Sequence, residues 1–478
     1  MPDSGILGAK VKALRRREAM TQVQLAERLG ISPSYLNLIE NNRRALTAPL
    51  LIRLAEIFQL DVKQFGGGDD ARLASDLMEV FGDPLFERHP LTNADVRELA
   101  MTAPNVARAV LTLYRAWQGA QESVQTLASR VSDGEELTNL DRSRLPSEEV
   151  SDLIQARQNH FPELEERAEA LWRDAQLTPD DLYRGLVRYL ESAHGITVEV
   201  VKAGRDRRAV RRFDPERRLL TLSELLPPRS RNFQLAHQLA LLTQRDTLDA
   251  LLREGELSTP DSHALARVAL ANYFAGAVLM PYAPMLEAAR AERYDIELLG
   301  HRFRTSFEQV CQRLTTLRRP GAEGVPFHML RIDVAGNISK RFSASGIRFA
   351  RFSGACPRWN VHAAFMTPGM IRIQLSRMPD GNVYFCLART VRKDSGGYHA
   401  IHTVHAIGLG CRVEHARELI YSDGVDLSNL DAAVPVGVTC RMCDRMDCEQ
   451  RVHPALQHPL KVDENVRGVN FYTPVTEE

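Results

Sequence analysis

Two helix-capping signals separated by a glycine confine residues 21–40 to one local arrangement. Thr21 is a good N-cap for a helix over Gln22–Leu29, with Gln24 at the reciprocal capping-box position. Gly30 then supplies a turn. Ser32-Pro33 provides a second N-cap, followed by proline at the first helical position of a helix running to about Glu40. Two short helices around a tight glycine-containing turn make a helix-turn-helix, with Leu25, Ala26, Leu36 and Ile39 facing inward and the small Ala26 at the helix crossing. This arrangement leaves Gln22, at the start of the first helix, as a candidate DNA contact. On the second it leaves Ser32, Ser34, Tyr35 and Asn37 to reach base edges. Arg15, Arg16 and Arg17 before the pair, and Arg43 and Arg44 after it, can neutralise phosphates. The expected partner is a double-stranded DNA operator. A helical bundle with merely solvated charges is the alternative, and the agreement of caps, turn, small residue and flanking arginines speaks against it.

The remaining chain is long enough for about three domains of ordinary size: 478 residues, 44% hydrophobic and 26% charged. These fractions exclude global disorder and fibrous classes. With 61 basic and 61 acidic residues, a uniformly basic nucleic-acid coat is excluded as well, but a local basic face is not. Residues 1–30 carry no apolar leader core or cleavage pattern. The long uncharged run Val268–Leu286 contains Asn272 and is broken by Pro281 and Pro284, so it reads as a buried core helix ending near Met280. The expectation is a cytoplasmic protein with no membrane partner. Seven cysteines in a reducing compartment point to free thiols or metal ligation instead of disulfides.

The patterning predicts a multidomain chain. An all-α helix-turn-helix domain (1–70) precedes a helical linker or dimerisation region (71–150). An α+β middle domain (151–285) and an α+β carboxy-terminal domain (286–478) follow. Gly66-Gly67-Gly68-Asp69-Asp70 closes the first of these. Acidic residues dominate 133–181, including Glu148, Glu149, Glu163, Glu165 and Glu166. Polarity reverses over Lys202–Arg218, where Thr197–Val201 and Leu219–Leu222 predict two short strands around a basic hairpin. Helices are expected at about Asn232–Thr243 and His263–Met280. Alternation over Met329–Val334 and Met370–Leu375 predicts strands, with Pro379-Asp380-Gly381-Asn382 as a hairpin turn.

Phe233–Leu241 invites comparison with the zinc-binding motif H-E-x-x-H, which needs two histidines one helical turn apart and a glutamate as general base. His237 occupies the first ligand position, but Gln238 replaces the base and Leu241 the second ligand. Catalytic residues are therefore none. His237 reads as a satisfied core histidine, or as part of a vacated cleft that accepts a small ligand. The basic hairpin admits three readings: solvated charge, an added DNA contact, or a seat for ligand phosphates. The nominated ligand residues are Arg212, Arg231, His237 and Tyr273.

Thr439–Cys448 places Cys440, Cys443 and Cys448 at C-x2-C-x4-C spacing, which lets a short loop point several thiolates at one centre. Cys356 of Cys356-Pro357 can supply a fourth. Structural zinc, an iron–sulfur cluster and unligated thiols all remain open on spacing alone. Cys311, Cys386 and Cys411 sit in apolar or regular patterns and read as core residues.

Family resemblance goes further. The amino-terminal segment resembles the phage-repressor-like (XRE) helix-turn-helix family, which implies a homodimer reading a near-palindromic operator. Residues 150–285 resemble the metallopeptidase-like ImmA/IrrE domain, whose glutamate ligand matches Leu270 here. Ser32–Glu40, Ala271–Pro281, Arg319–Phe327, Ala335–Arg341, Cys356–Val361 and the terminal cysteines occur in this order, and the whole chain is thereby similar to the short-chain fatty acyl transcriptional regulators. That resemblance implies a regulator of propionate or glyoxylate-cycle genes that senses a short-chain acyl-CoA, especially propionyl-CoA, in its middle region. It also implies a 4Fe-4S cluster on Cys356, Cys440, Cys443 and Cys448. Two rival functions follow from the same residues. One is a redox- or iron-responsive regulator signalling through the cluster, and the other a zinc peptidase cleaving a partner repressor, against which the missing ligands and base count.

Overall fold

The computed structural model describes residues 11–12, 14–15, 18, 20–41, 44, 47–58, 68–86, 91–133, 146–202, 210–349, 355–393, 402–440, 443 and 445–453. Of the segments singled out above, Arg16, Arg17 and Arg43 lie outside the described residues, as do residues 203–209 of the basic stretch. The chain divides into two compact units, one of residues 1–142, 350–353 and 439–478, the other of 143–349 and 354–438.

The smaller unit begins with the capped pair. Helix α1 is Gln22–Leu29 and α2 is Pro33–Glu40, and both capping predictions hold: Thr21 Oγ1 accepts from the Gln24 N–H and Ser32 Oγ from the Tyr35 N–H. Gly30 sits at φ +67 as the left-handed cap of α1. A Cβ there would stand 3.1 Å from Arg53 Nη1, whose own role is to donate to the Leu29 carbonyl. Helix α3, Ala48–Phe58, closes the core with Leu50 and Leu54 against Leu25, Leu36 and Ile39. Helices α4 (Gly68–Phe81), α5 (Asn93–Thr102) and α6 (Pro104–Asp133) make a second helical core around Leu77, Val80, Val96 and Leu111.

In the larger unit, α7 (Pro146–Ala156), α8 (Pro162–Asp174) and α9 (Leu182–His194) lead into a three-stranded sheet. Its strands are β1 (Thr197–Val201), β2 (Arg211–Asp214) and β3 (Leu219–Ser223), in the order β1-β3-β2. This corrects the expected pair of strands around one basic hairpin. β1 and β3 run parallel, which a hairpin cannot connect, and the basic stretch itself supplies β2, antiparallel to β3. The turn between β2 and β3 is held by Asp214, whose Oδ1 accepts from the N–H groups of Glu216 and Arg217 at 3.0 Å each.

Helices α10 (Pro228–Thr243), α11 (Arg245–Arg253), α12 (Pro260–Leu279), α13 (Tyr282–Ala291), α14 (Ile296–Arg302) and α15 (Phe307–Leu314) follow. Among the described residues no single helix is long and apolar enough to cross a membrane. The apolar run falls on α12 and α13, which bend by 65° at the predicted prolines, and apart from the exposed Val268 its large side chains are core.

A six-stranded sheet completes the unit. Its strands are β4 (His328–Ile332), β5 (Ile338–Ser343), β6 (Arg372–Arg377), β7 (Val383–Lys393), β8 (Thr403–Arg412) and β9 (Val434–Pro435), in the order β5-β4-β8-β7-β6-β9. The predicted turn at 379–382 joins β6 and β7. β7 is buried on both faces. Phe385 and Leu387 enter the large helical core, while Tyr384, Cys386 and Ala388 enter a second core with Cys356, Trp359 and Val361. The large core runs from Ala168 to Leu419 without a break at position 286. Cys311, Cys386 and Cys411 are core residues, as their patterns predicted.

One buried ion pair ties these helices together. Arg313 on α15 and Glu165 on α8 are 2% and 1% exposed and bond in bidentate fashion at 2.6 and 2.8 Å. Arg313 Nε also donates to the Met280 carbonyl at the end of α12, and the Tyr273 hydroxyl donates to Glu165 at 2.6 Å. Replacing Arg313 with methionine leaves a carboxylate buried and unpaired. The Arg313→Met protein is expected to lose about 3–5 kcal/mol of stability, read as a lower midpoint of urea unfolding. An unchanged midpoint would refute that weight for the pair.

Candidate functional site

On the helix-turn-helix, exposed and structural side chains separate, and two of the expected DNA contacts, Arg15 and Gln22, bond to Glu40. Ser32, Ser34 and Asn37 are exposed on α2, and Tyr35 is half-buried beneath Arg44, whose guanidinium carbon stands 5.2 Å from the ring centroid. Arg15 is not a free phosphate contact. Its Nε and Nη2 donate to the buried Glu40 carboxylate at 2.6 and 3.0 Å, and its Nη1 donates to the Met20 carbonyl at 2.9 Å. Gln22 donates to the same carboxylate at 2.7 Å. Burial alone would raise the Glu40 carboxyl, but the bonds from Arg15 and Gln22 outweigh it and hold it below the usual carboxylate range. Arg15 and Gln22 therefore fix how α1 and α2 meet. The pairing spans 25 residues, so no local spacing signals it.

On the metallopeptidase-like part, His237 lies on α10 with 4% exposure, beside Gln238. Its Nδ1 accepts from Arg211 Nη1 of β2 at 2.5 Å. Burial, together with the Arg211 charge, pushes the imidazole down to about 4, so it is a neutral acceptor facing a guanidinium. Leu270 is 1% exposed in an apolar cluster, and Leu241 packs against the same cluster. Arg211 belongs to the basic stretch noted from sequence, but its pairing with His237 depends on the sheet placing β2 beside α10.

The nominated ligand residues separate. Tyr273 is buried and its hydroxyl serves Glu165, as described above. His237 is occupied by Arg211. Arg212 is exposed on β2, away from the cleft that Arg231 enters. That cleft, of about 670 Å3, is lined by Pro179–Tyr183, by Pro227–Asn232 without Ser230, and by Phe303 and Arg304. It opens at the amino terminus of α10, where no side chain caps the helix. Arg231 is held by the carbonyls of Leu226 and Glu224 at 3.1 and 3.3 Å, and Asn232 keeps a buried Oδ1 without a partner among the described residues. Asp180 and Asp181 also line the cleft and Arg304 pairs with Asp180 at 3.5 Å, so Arg229, Arg231, the helix amino terminus and the rings of Tyr183 and Phe303 are what suit an anion with a planar or apolar part. Sequence reasoning reached Arg231 but not Arg229, Tyr183, Phe303 or Arg304, which only the packing of α9 and α10 against the end of α14 brings together.

Cys356 lies in the larger unit, 6% exposed, with its N–H donating to the Val438 carbonyl at 3.1 Å. Cys440, Cys443 and Cys448 lie in the smaller unit; Cys443 and Cys448 are each 9% exposed and Cys440 is half-buried. Among the described residues, no three His, Cys, Asp or Glu side chains are grouped as a metal ion requires. What the structure does organise is the loop backbone. Arg451, 3% exposed, donates to the carbonyls of Cys440 at 2.9 Å and Cys443 at 2.7 Å, and further to those of Arg445 and His453. Burial pushes the Cys443 thiol up, against the pull of a backbone bond and of the Arg451 and Arg445 charges. The donor chemistry, thiols in a loop folded around a buried cation, fits a thiolate-bound metal group.

An exposed recognition helix on a locked helix-turn-helix, joined to a peptidase-like fold whose metal position faces a guanidinium, defines a DNA-binding transcriptional regulator. Models of three families match in order: helix-turn-helix at 11–65, IrrE N-terminal-like domain at 191–315, and short-chain fatty acyl coenzyme A regulator, C-terminal, at 316–472. The chain belongs to the family of short-chain fatty acyl coenzyme A regulators. It is 41% identical over 465 residues to the "Propionyl-CoA carboxylase regulator" of Cereibacter sphaeroides, covering 97% of this chain and 98% of that one. It is 40% identical over 458 residues to the "HTH-type transcriptional regulator PrpR" of Mycobacterium tuberculosis, covering 96% and 93%. A solved structure titled "Mycobacterium tuberculosis transcriptional regulator" superposes with a TM-score of 0.66 at 41% identity, covering 69% of this chain and 100% of that one.

Two substitutions separate the roles on the recognition surface. Asn37→Ala is expected to cost about 1–3 kcal/mol on the operator and little on unrelated DNA, whereas Arg44→Ala weakens both and lowers the salt slope by about 1. Binding isotherms at several salt concentrations measure both effects. Equal losses on operator and unrelated DNA for Asn37→Ala would remove it from base readout.

Proposed function

We propose that this chain is a homodimeric regulator of short-chain acyl metabolism whose operator affinity is set by an acyl-CoA, propionyl-CoA foremost. The observation that carries this reading is near-full-length similarity, 41% identity over 97% of the chain, to a protein named for regulating propionyl-CoA carboxylase. The cleft at the start of α10 supports it. Arg229 and Arg231 offer charge to phosphates, Arg304 being paired with Asp180, and the rings of Tyr183 and Phe303 flank the same space. Ligand shifts DNA binding only through its differential affinity for the DNA-competent and incompetent dimers. Helices α4–α6 are the segment whose arrangement sets the spacing of two recognition helices in a dimer, and they are the element this reading assigns to switching.

In the same reading, Cys356, Cys440, Cys443 and Cys448 hold a 4Fe-4S cluster, with zinc as the alternative occupant. When bound, the group cross-links its loop and, if iron-based, supplies an electron-accepting centre. The residues of the chain provide the thiolates and bury them.

Operator affinity for the chain's own upstream DNA, measured at one salt concentration, tests the proposal. Propionyl-CoA is expected to change that affinity by about 5- to 150-fold, and free CoA to leave it unchanged. The Arg231→Ala protein is expected to bind operator normally and lose the response. No response in the wild type, with tight DNA binding retained, would transfer sensing to the cysteine site.

A further inference from the structure

We infer that Arg451 is the positioning and charge-compensating residue of the cysteine site: its buried guanidinium holds the loop of Cys440 and Cys443 by their carbonyls and faces the negative charge of a thiolate-bound metal group. This rests on the cysteine-site reading above and extends it to a residue outside the ligand set.

Arg451 is 3% exposed, yet among the described residues it forms no ion pair with any carboxylate. Its partners are the carbonyl oxygens of Cys440, Cys443, Arg445 and His453, and its buried Nε has no partner among the described residues. Carbonyls satisfy N–H groups but supply no countercharge, and a buried cation without one is costly. The Glu165–Arg313 pair of the larger unit shows the usual remedy, a carboxylate bonded in bidentate fashion. Around Arg451 the loop instead offers three thiols, those of Cys443 and Cys448 being nearly buried.

Several thiolates on a four-iron core or on one zinc ion leave a net negative charge, and that supplies Arg451 with a countercharge that its carbonyl partners among the described residues do not. The carbonyl bonds have a second consequence. By bonding to the carbonyls of both Cys440 and Cys443, the guanidinium fixes the backbone at two of the thiol-bearing residues relative to each other. Partners of this kind, one shell outside the ligands, tune both metal affinity and reduction potential.

The test uses the full chain purified without oxygen, as wild type, Arg451→Gln, Arg451→Lys and Cys443→Ser. Iron, sulfide and zinc are counted per chain, and metal loss to an added chelator is timed. Arg451→Gln is expected to lose metal about ten- to a hundred-fold faster than wild type. Arg451→Lys, which restores the charge with fewer bonds, is expected to recover a large part of that retention. If iron is the occupant, the reduction potential of Arg451→Gln falls and that of Arg451→Lys returns toward wild type, a response that loop packing alone does not produce. Equal retention in Gln and Lys variants, with Cys443-dependent metal present in wild type, would overturn the role of Arg451 and leave the cysteine site standing. A wild-type chain whose metal content is indifferent to Cys443→Ser would overturn the cysteine site itself and the inference with it.

Discussion

The larger unit depends on one desolvated ion pair. Glu165 reaches across from α8 to Arg313 on α15, and the pair gathers Tyr273 of α12 and the carbonyl at the end of that helix. Two charges taken out of water are stable only when every lone pair and proton is matched, so the network admits one arrangement of these helices. The aromatic ring of Tyr282 lies against Arg313 and Arg319, and its hydroxyl accepts from the Arg319 N–H, which carries the constraint into the loop leading to the six-stranded sheet. The cleft at α10 is framed by the same body of helices. Its walls at Tyr183, Asn232 and Phe303 come from α9, α10 and the end of α14.

Charge placement also explains why a peptidase-like fold can serve a regulator. Where the metallopeptidase motif asks for two histidines and a glutamate around a zinc ion, this chain keeps one histidine and sets Arg211 against its ring nitrogen. A neutral imidazole accepting from a guanidinium is a closed hydrogen-bonding unit. The remaining positions, Leu241 and Leu270, contribute apolar packing. The fold is retained, and its polar centre holds β2 against α10.

What could be read from the sequence was local. Thr21, Gly30 and Ser32 announce α1 and α2 because caps and a left-handed glycine act over three or four residues. The turn at 379–382 and the core placement of Cys311, Cys386 and Cys411 were legible for the same reason. What escaped was long-range. Nothing between residues 197 and 223 reveals that β1 and β3 are parallel, because that register is set by packing against helices. The Arg15–Glu40 pair hides a structural arginine within a basic run, and Arg451 looks like any surface charge until the loop closes over it. The cleft at α10 combines three stretches more than forty residues apart at their nearest ends, counted from Tyr183 to Pro227 and from Asn232 to Phe303.

The central claim is that operator DNA and a short-chain acyl-CoA are thermodynamically coupled through this chain. The most direct measurement is the dissociation constant of propionyl-CoA for the free protein and for the protein saturated with operator DNA. Reciprocity requires that operator change propionyl-CoA affinity by the same factor by which propionyl-CoA changes operator affinity. The account predicts equal factors, both different from one. Identical propionyl-CoA affinity with and without operator would contradict it.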